Sequence, residues 1–364
     1  MPQERHPGAV SWDNPFQPVC PSPTGVFHPV AIDPAGVVGP TRGQAARRGW
    51  RRVGPKRYVP TQVDAGLPEQ RVLEAAVHLP GSGAVTGWGA LRMAGAAYFD
   101  GRPRGRTRPV LLALGHGDGR ATPAGCRLSY EPLEPDEVMV RHGVRVTKPV
   151  RALFDEMRQA AADREAVVAM DMTAAAGLVS IGQLAHYHRS RTRWRRSSIV
   201  GDALPYASER SRSPAETRLR LVYELDAKLP GPLVNRSVYD LRGRLICVAD
   251  LFDDEVGMVV EYDGAEHRKA GRHARDVRRE DLCRRAGLEY AKVTGPDMYD
   301  VDLVVDRLRS TRARALSRPA GARLWTLQGP PGERPEESIE EQAASRAWVL
   351  EQMAQERLWT PPSC

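Results

Sequence analysis

The chain has 364 residues, 41 % hydrophobic, 27 % charged and 6 % aromatic, which fits a globular protein of two or three domains and excludes an extended low-complexity one. Five scattered cysteines without a CxxC pair exclude a zinc ribbon or disulfide scaffold. No run approaches the roughly 20 apolar residues of a membrane span, and the start, MPQERHPGAVSWDNPF, lacks the basic-then-apolar pattern of an export signal, so a cytoplasmic address is expected. The net charge is +8 and the pI about 9.4, and arginine supplies nearly all of the excess; guanidinium groups pair well with phosphate oxygens, so nucleic acid is the partner this charge favours.

In chain order, residues 1–36 are rich in Pro and Gly without periodicity and read as a disordered arm. Residues 37–60, VVGPTRGQAARRGWRRVGPKRYVP, are strongly basic; Thr41 is placed to cap a small helix through Arg48, and a Gly-Pro turn leads into a short strand over 56–59. Across 1–60 there are 8 basic and 3 acidic residues. The next stretch, 65–205, reads as an α+β domain. Pro68 opens a helix that ends near His78, and Ala, Leu and Met recur at helical spacing over 88–97. Strands are expected over 110–114, 127–130 and 144–147, and helices over 150–157, 164–176 and 181–188. The run SRTRWRRSS, 190–198, is either a phosphate contact with Trp194 stacked on a base or a solvated helix end.

A last domain is expected over 211–317. Ser213, Pro214 and Glu216 give a cap, a first-turn Pro and an acid at the third helical position, opening a helix to about 229 with Leu219, Val222, Leu225 and Leu229 inward. Strands follow over 237–241, 245–252 and 257–263, then a basic helix over 272–286, a strand over 288–294 and a helix over 298–315. Residues 318–364 form an acidic tail. Within it 331–364 hold 7 acids and 3 arginines, and a helix over 336–358 with Trp348, Leu350 and Trp359 is a candidate dock for a partner protein.

Strand alternation puts Glu261 and Asp263 on one face of their strand, and Ile246, Val248, Asp250 and Phe252 on one face of the strand before it. A hairpin turn centred between Glu255 and Val256 sets Asp250 across from Glu261, about 5 Å away. Two carboxylates at that spacing repel, and a hard divalent cation, Mg²⁺ or Mn²⁺, removes the repulsion. A water on such a cation can attack phosphorus. Glu216 can reach the same edge from its helix. Plainer roles also exist: Glu216 as a helix cap, Asp263 with Gly264 as a turn pair, His267 as a surface residue, and Asp276 with Arg279 as an ion pair along one helix.

The runs SPAETRLR, VADLFDDEVGMVVEYDGAEHR and ARDVRREDLCRRAGLEYAKVT resemble the very-short-patch-repair endonucleases of the PD-(D/E)XK superfamily, over about 211–315. The resemblance implies a restriction-endonuclease-like mixed sheet flanked by helices, with a Glu from the first helix (Glu216), a metal-binding Asp from the second core strand (Asp250) and the acid of the (D/E)XK pair from the third (Glu261). The lysine of that pair falls at 263, where this chain has Asp263, so His267 and Lys292 are the candidates for proton transfer. Arg275, Arg278 and Arg279 would line the phosphate path. Residues 37–60, with GAVTGWGALRMAGA and GVRVTKPVRALFD, are similar to AbiEi-family antitoxins, whose winged helix binds DNA. Here 37–64 retains one helix and an RRVGPKRYVP wing, a degenerate winged-helix-like segment with Arg51, Arg52, Lys56 and Arg57 as its DNA contacts. The expected fold class is therefore α/β, a nuclease-like domain behind an α+β domain. Two functions follow: a metal-dependent DNA endonuclease, or an antitoxin-like regulator that binds DNA through a catalytically degenerate nuclease fold.

Overall fold

The computed structural model describes residues 25–115, 117, 120–263, 270–319, 323–330 and 339, with 104 and 270–277 by backbone alone. Thr41 and Gln44 form a reciprocal cap on a short helix α1 (Arg42–Ala45), which stops before the expected Arg48. Strands β1 (Trp50–Gly54) and β2 (Arg57–Pro60) pair as an antiparallel hairpin whose turn places Lys56 at φ 56°. From Val26 onward, part of the segment expected as a disordered arm is held in place. Val26 packs against the front core, Gln70 bonds both main-chain groups of Phe27, Val30 bridges Tyr58, and the Phe27 ring meets Trp50 edge-on.

The front half is built on a five-stranded mixed sheet. Its strands are β3 (Ala84–Thr86), β4 (Val110–Ala113), β5 (Cys126–Ser129), β6 (Val138–Arg141) and β7 (Val144–Thr147), in the order β5-β4-β3-β7-β6. β3 is central and three residues long, too short to show an alternation, and was not legible beforehand; nor was the edge strand β6. Helices α2 (Pro68–Ala76), α3 (Trp88–Met93), α4 (Pro149–Arg158), α5 (Asp163–Ala175), α6 (Ile181–Arg189) and α7 (Ser198–Ala203) complete it. Trp88, Leu91, Leu112, Leu153, Phe154 and Met170 are fully buried at its centre. Trp194, a candidate base-stacking residue, packs against this core instead: Arg151 lies 4.7 Å over its ring and Phe154 meets it edge-on at 5.8 Å.

The back half begins with α8 (Pro214–Leu221), which runs on into a π-helical turn, Val222–Asp226. Then come β8 (Leu233–Asp240), β9 (Leu245–Asp253), β10 (Met258–Asp263), α9 (Ala270–Arg285), β11 (Glu289–Thr294), α10 (Val301–Leu316) and the short β12 (Trp325–Thr326). The sheet order is β11-β10-β9-β8-β12. Only β10 and β11 run parallel, as the α9 crossover between them requires. One face packs on α8 and α10 through Leu219, Leu251, Val260, Val304 and Leu308; the other packs on α9 through Cys247, Phe252, Val259 and Cys283.

The halves share α8. Leu219 and Val222 enter the back core while Leu221 enters the front one. Beside them Asp171 of α5, fully buried, accepts from Arg220 at 2.7 Å, Thr217 at 2.8 Å and the Ser208 amide at 2.7 Å. The segment expected as an acidic tail, 318–364, instead contributes β12 and the buried Trp325 to the back sheet, and beyond residue 330 only Ile339 is described. It is helical and packs into the front core, and the expected docking residues Trp348, Leu350 and Trp359 lie outside the described residues.

Candidate functional site

The acids converge where the end of β10, the middle of β9 and the first turn of α8 meet. The β9–β10 register pairs Met258 with Asp253, Val259 with Phe252 and Val260 with Leu251. Continued by one step, it sets Glu261 opposite Asp250, as a turn between Glu255 and Val256 requires. The ladder does not take that step: Asp250 Oδ2 accepts the Tyr262 amide at 2.7 Å instead.

The shared face expected for Ile246, Val248, Asp250 and Phe252 is not kept. Cys247 and Ala249 pack on the α9 side with Phe252, whereas Leu251 packs on the other. The alternation breaks at Asp250. Opposite it, between the pairs Val234–Leu251 and Arg236–Ala249, Asn235 adopts φ 49°. This kink re-aims a side chain in the way a bulge does. Asn235 spends its amide donors on the Arg210 carbonyl at 2.8 Å and on Glu216 Oε2 at 2.7 Å.

Glu216 is buried, and its amide is capped by Ser213 Oγ at 3.2 Å. Its carboxylate does not close a capping box on Ser213; Oε2 takes the Arg212 amide at 2.9 Å and Asn235. Glu261 is buried too. Arg279 Nη1 on α9 reaches its two oxygens at 2.9 and 2.8 Å, and Tyr290 Oη on β11 donates to Oε2 at 2.6 Å. Burial, followed by the Glu261 charge, pushes the Tyr290 hydroxyl upward, which keeps it a donor. Asp250 feels the whole arrangement. Burial, then the Glu216 and Glu261 charges, raise its carboxyl well above the usual range, against the Tyr262 amide and the Arg279 charge.

The other residues expected at the site divide. Lys292, in register with Glu261 on parallel β11, reaches Asp263 Oδ2 at 2.7 Å. His267 lies outside the described residues, as does the side chain of Arg275, which is carried on α9. Arg278 is exposed, and Arg279 bonds an acid of the site. On the hairpin, Arg52, Lys56 and Arg57 are exposed, whereas both terminal nitrogens of Arg51 bond Glu74 of α2, at 2.6 and 2.7 Å.

Asn235 and Tyr290 were missed. The signal for Asn235 was a polar residue inside an otherwise strand-like run, LVNRSVYD. Tyr290 shares a strand face with Lys292 by alternation. Among the described residues, no group of three or more His, Cys, Asp and Glu side chains is arranged as a ready cation cage. The donor chemistry nevertheless suits a hard cation. Glu216 and Glu261 approach Asp250 closely enough to add to the effect of burial in raising its proton affinity, and a divalent ion would remove that cost. Arg279 now provides part of that charge to Glu261.

Compared with known proteins, the chain matches no family model, no curated protein and no solved structure. No helix among the described residues is long and apolar enough to cross a membrane.

Proposed function

We propose that the back half is a PD-(D/E)XK-like nuclease unit that hydrolyses DNA phosphodiesters with Mg²⁺ or Mn²⁺. The observation that carries this reading is the meeting of Glu216, Asp250 and Glu261 from one helix and two adjacent strands, with Asp250 pushed up by burial and then by the other two. The element order supports it: a helix, an antiparallel run of three strands, then a helix crossing to a parallel strand, as a restriction-endonuclease-like core has. Asp250 and Glu261 would hold the ion, which when bound supplies charge stabilisation at phosphorus and an acidified water.

The chain's own groups set the geometry. The Tyr262 amide orients Asp250, Tyr290 orients Glu261, and Asn235 orients Glu216. Lys292, one strand over from the usual lysine position, moves the proton or steadies developing charge beside Asp263; His267 is the other candidate. Arg279 exchanges Glu261 for a phosphate oxygen when the polyanion arrives, beside the exposed Arg278. Supercoiled plasmid incubated with Mg²⁺ or Mn²⁺ is expected to be nicked or linearised, with chelator or Asp250→Asn abolishing the activity. Equal cutting by Asp250→Asn would remove the assignment.

A second reading draws on the exposed Arg52, Lys56 and Arg57 of the hairpin, together with Asp263 in the usual lysine place. In it the protein is an AbiEi-like regulator that binds DNA and does not cut. Steeply salt-dependent duplex binding with no cleavage at any metal concentration is its signature.

A further inference from the structure

The hairpin sits on α2, and between α2 and the starts of β4 and β5, with Val53 of the hairpin at one side, lies a cleft of about 360 Å³ that the acidic site does not use. Val53 of β1, Arg71 and Ala75 of α2, His78 just past its end, and Val110 and Cys126 at the starts of β4 and β5 line it. The volume falls in the range of small-ligand sites, in which an apolar lining takes the body of the ligand and a few polar groups fix its orientation.

The charges in the cleft are unevenly matched. Glu74 is held by Arg51 and Gln70, and Arg108 by Glu156. Arg71 is different. Its guanidinium lies 4.7 Å over the Trp88 ring and donates to three main-chain carbonyls, those of Asp100, Gly101 and Arg108. Among the described residues, none of its bonds goes to a carboxylate. Burial, then the nearby Arg102, bring its proton affinity down, with Asp100 acting the other way. A half-buried cation with no carboxylate bonded to it has a charge-assisted bond to gain from an incoming anion.

We infer that this cleft binds a small organic acid, its carboxylate on Arg71 and its hydrocarbon body against Val53, Ala75 and Val110. The site is independent of the nuclease reading. An occupant would lie where two polar ties, Arg51 to Glu74 and His78 to the Val53 carbonyl, anchor the basic hairpin.

Cys126, a free thiol in the lining, gives a direct readout. The full-length protein is alkylated with iodoacetamide in mildly alkaline buffer, because burial raises this thiol, and the Cys126 peptide is followed by mass spectrometry. Benzoate is expected to slow alkylation saturably, by about tenfold when it exceeds its half-protecting concentration about tenfold. Benzyl alcohol, of similar shape but uncharged, is expected to protect far less, and Arg71→Gln to lose the benzoate effect while Arg71→Lys keeps part of it. The fully buried Cys247 and Cys283 report whether either variant has unfolded. The comparison of the two probes on the unsubstituted protein decides the matter in any case. No saturable protection by benzoate, or equal protection by benzyl alcohol, overturns the inference.

Discussion

Asp250 bears the electrostatic strain of the acidic site. Its carboxyl is raised by burial and then by Glu216 and Glu261, so the folded state holds that proton more tightly than the unfolded chain does. Stability is therefore lost as pH rises from the ordinary carboxylate range through the folded pKa, and the penalty is absent below that range. Asp250→Asn removes the ionisation. It is expected to stabilise the metal-free protein at neutral and alkaline pH by on the order of 1 kcal/mol, with no gain in acid, while ending cleavage. Thermal unfolding across pH checks this; a variant no more stable than its parent at high pH would mean that the three charges do not repel as the geometry implies. The site's acids were legible because residue type and period-2 spacing belong to the chain itself. The contacts of Glu261 with Arg279 and Tyr290 were not, because one partner comes from a helix and the other from a strand some 18 and 29 positions away.

Among the elements, the β8–β9 kink shows where pattern reading stops. The pairing of Asp250 with Glu261 follows from turn position and pleat alone; the structure keeps that register as far as Val260 and Leu251 and leaves it at Asp250, whose carboxylate takes the Tyr262 amide. The break in alternation depends instead on Asn235 turning to meet Glu216, a contact between a strand and a helix that no local pattern contains. Asn235→Ala removes donors from Glu216 and from the Arg210 carbonyl and keeps a side chain at positive φ. A loss of about 1–3 kcal/mol is expected in denaturant unfolding, and Asn235→Gly, relieved of the backbone strain, should lose less. The hairpin separates its arginines by task. Replacing Arg52, Lys56 and Arg57 together by Ala is expected to weaken duplex binding and to flatten the log–log salt dependence by about one per residue. Arg51→Ala should act on stability, because its partner is Glu74. An unchanged salt slope in the triple variant would move the DNA contact elsewhere.

Across the whole molecule, α8 begins just past the expected boundary at 205–211 and packs into the cores on both sides of it. Helical spacing identified Leu219 and Val222 as inward-facing, but no spacing reveals that two cores flank one helix, with Leu219 in one and Leu221 in the other. The tie beside them is ionic and buried. Asp171 is raised by burial and then restrained by Arg220 and by its other donors, and Arg220 is itself only 3 % exposed. Asp171→Ala leaves that guanidinium short of its main counter-charge, and a cost of about 3–5 kcal/mol is expected. Calorimetry should show one unfolding transition for the parent protein and a broadened or split one for the variant. A single sharp transition at the same temperature in both would mean that the two halves are not joined there.

The shared helix also governs how the chain can be divided. Cut ahead of Ser213, the front fragment would carry a sequestered acid stripped of its counter-ion, and the back fragment would display Leu221 and Leu225 with nothing to receive them. Each piece made alone should then be prone to aggregate. A front fragment extended through Leu229 should be the more soluble of the two front versions, because it brings its own lid.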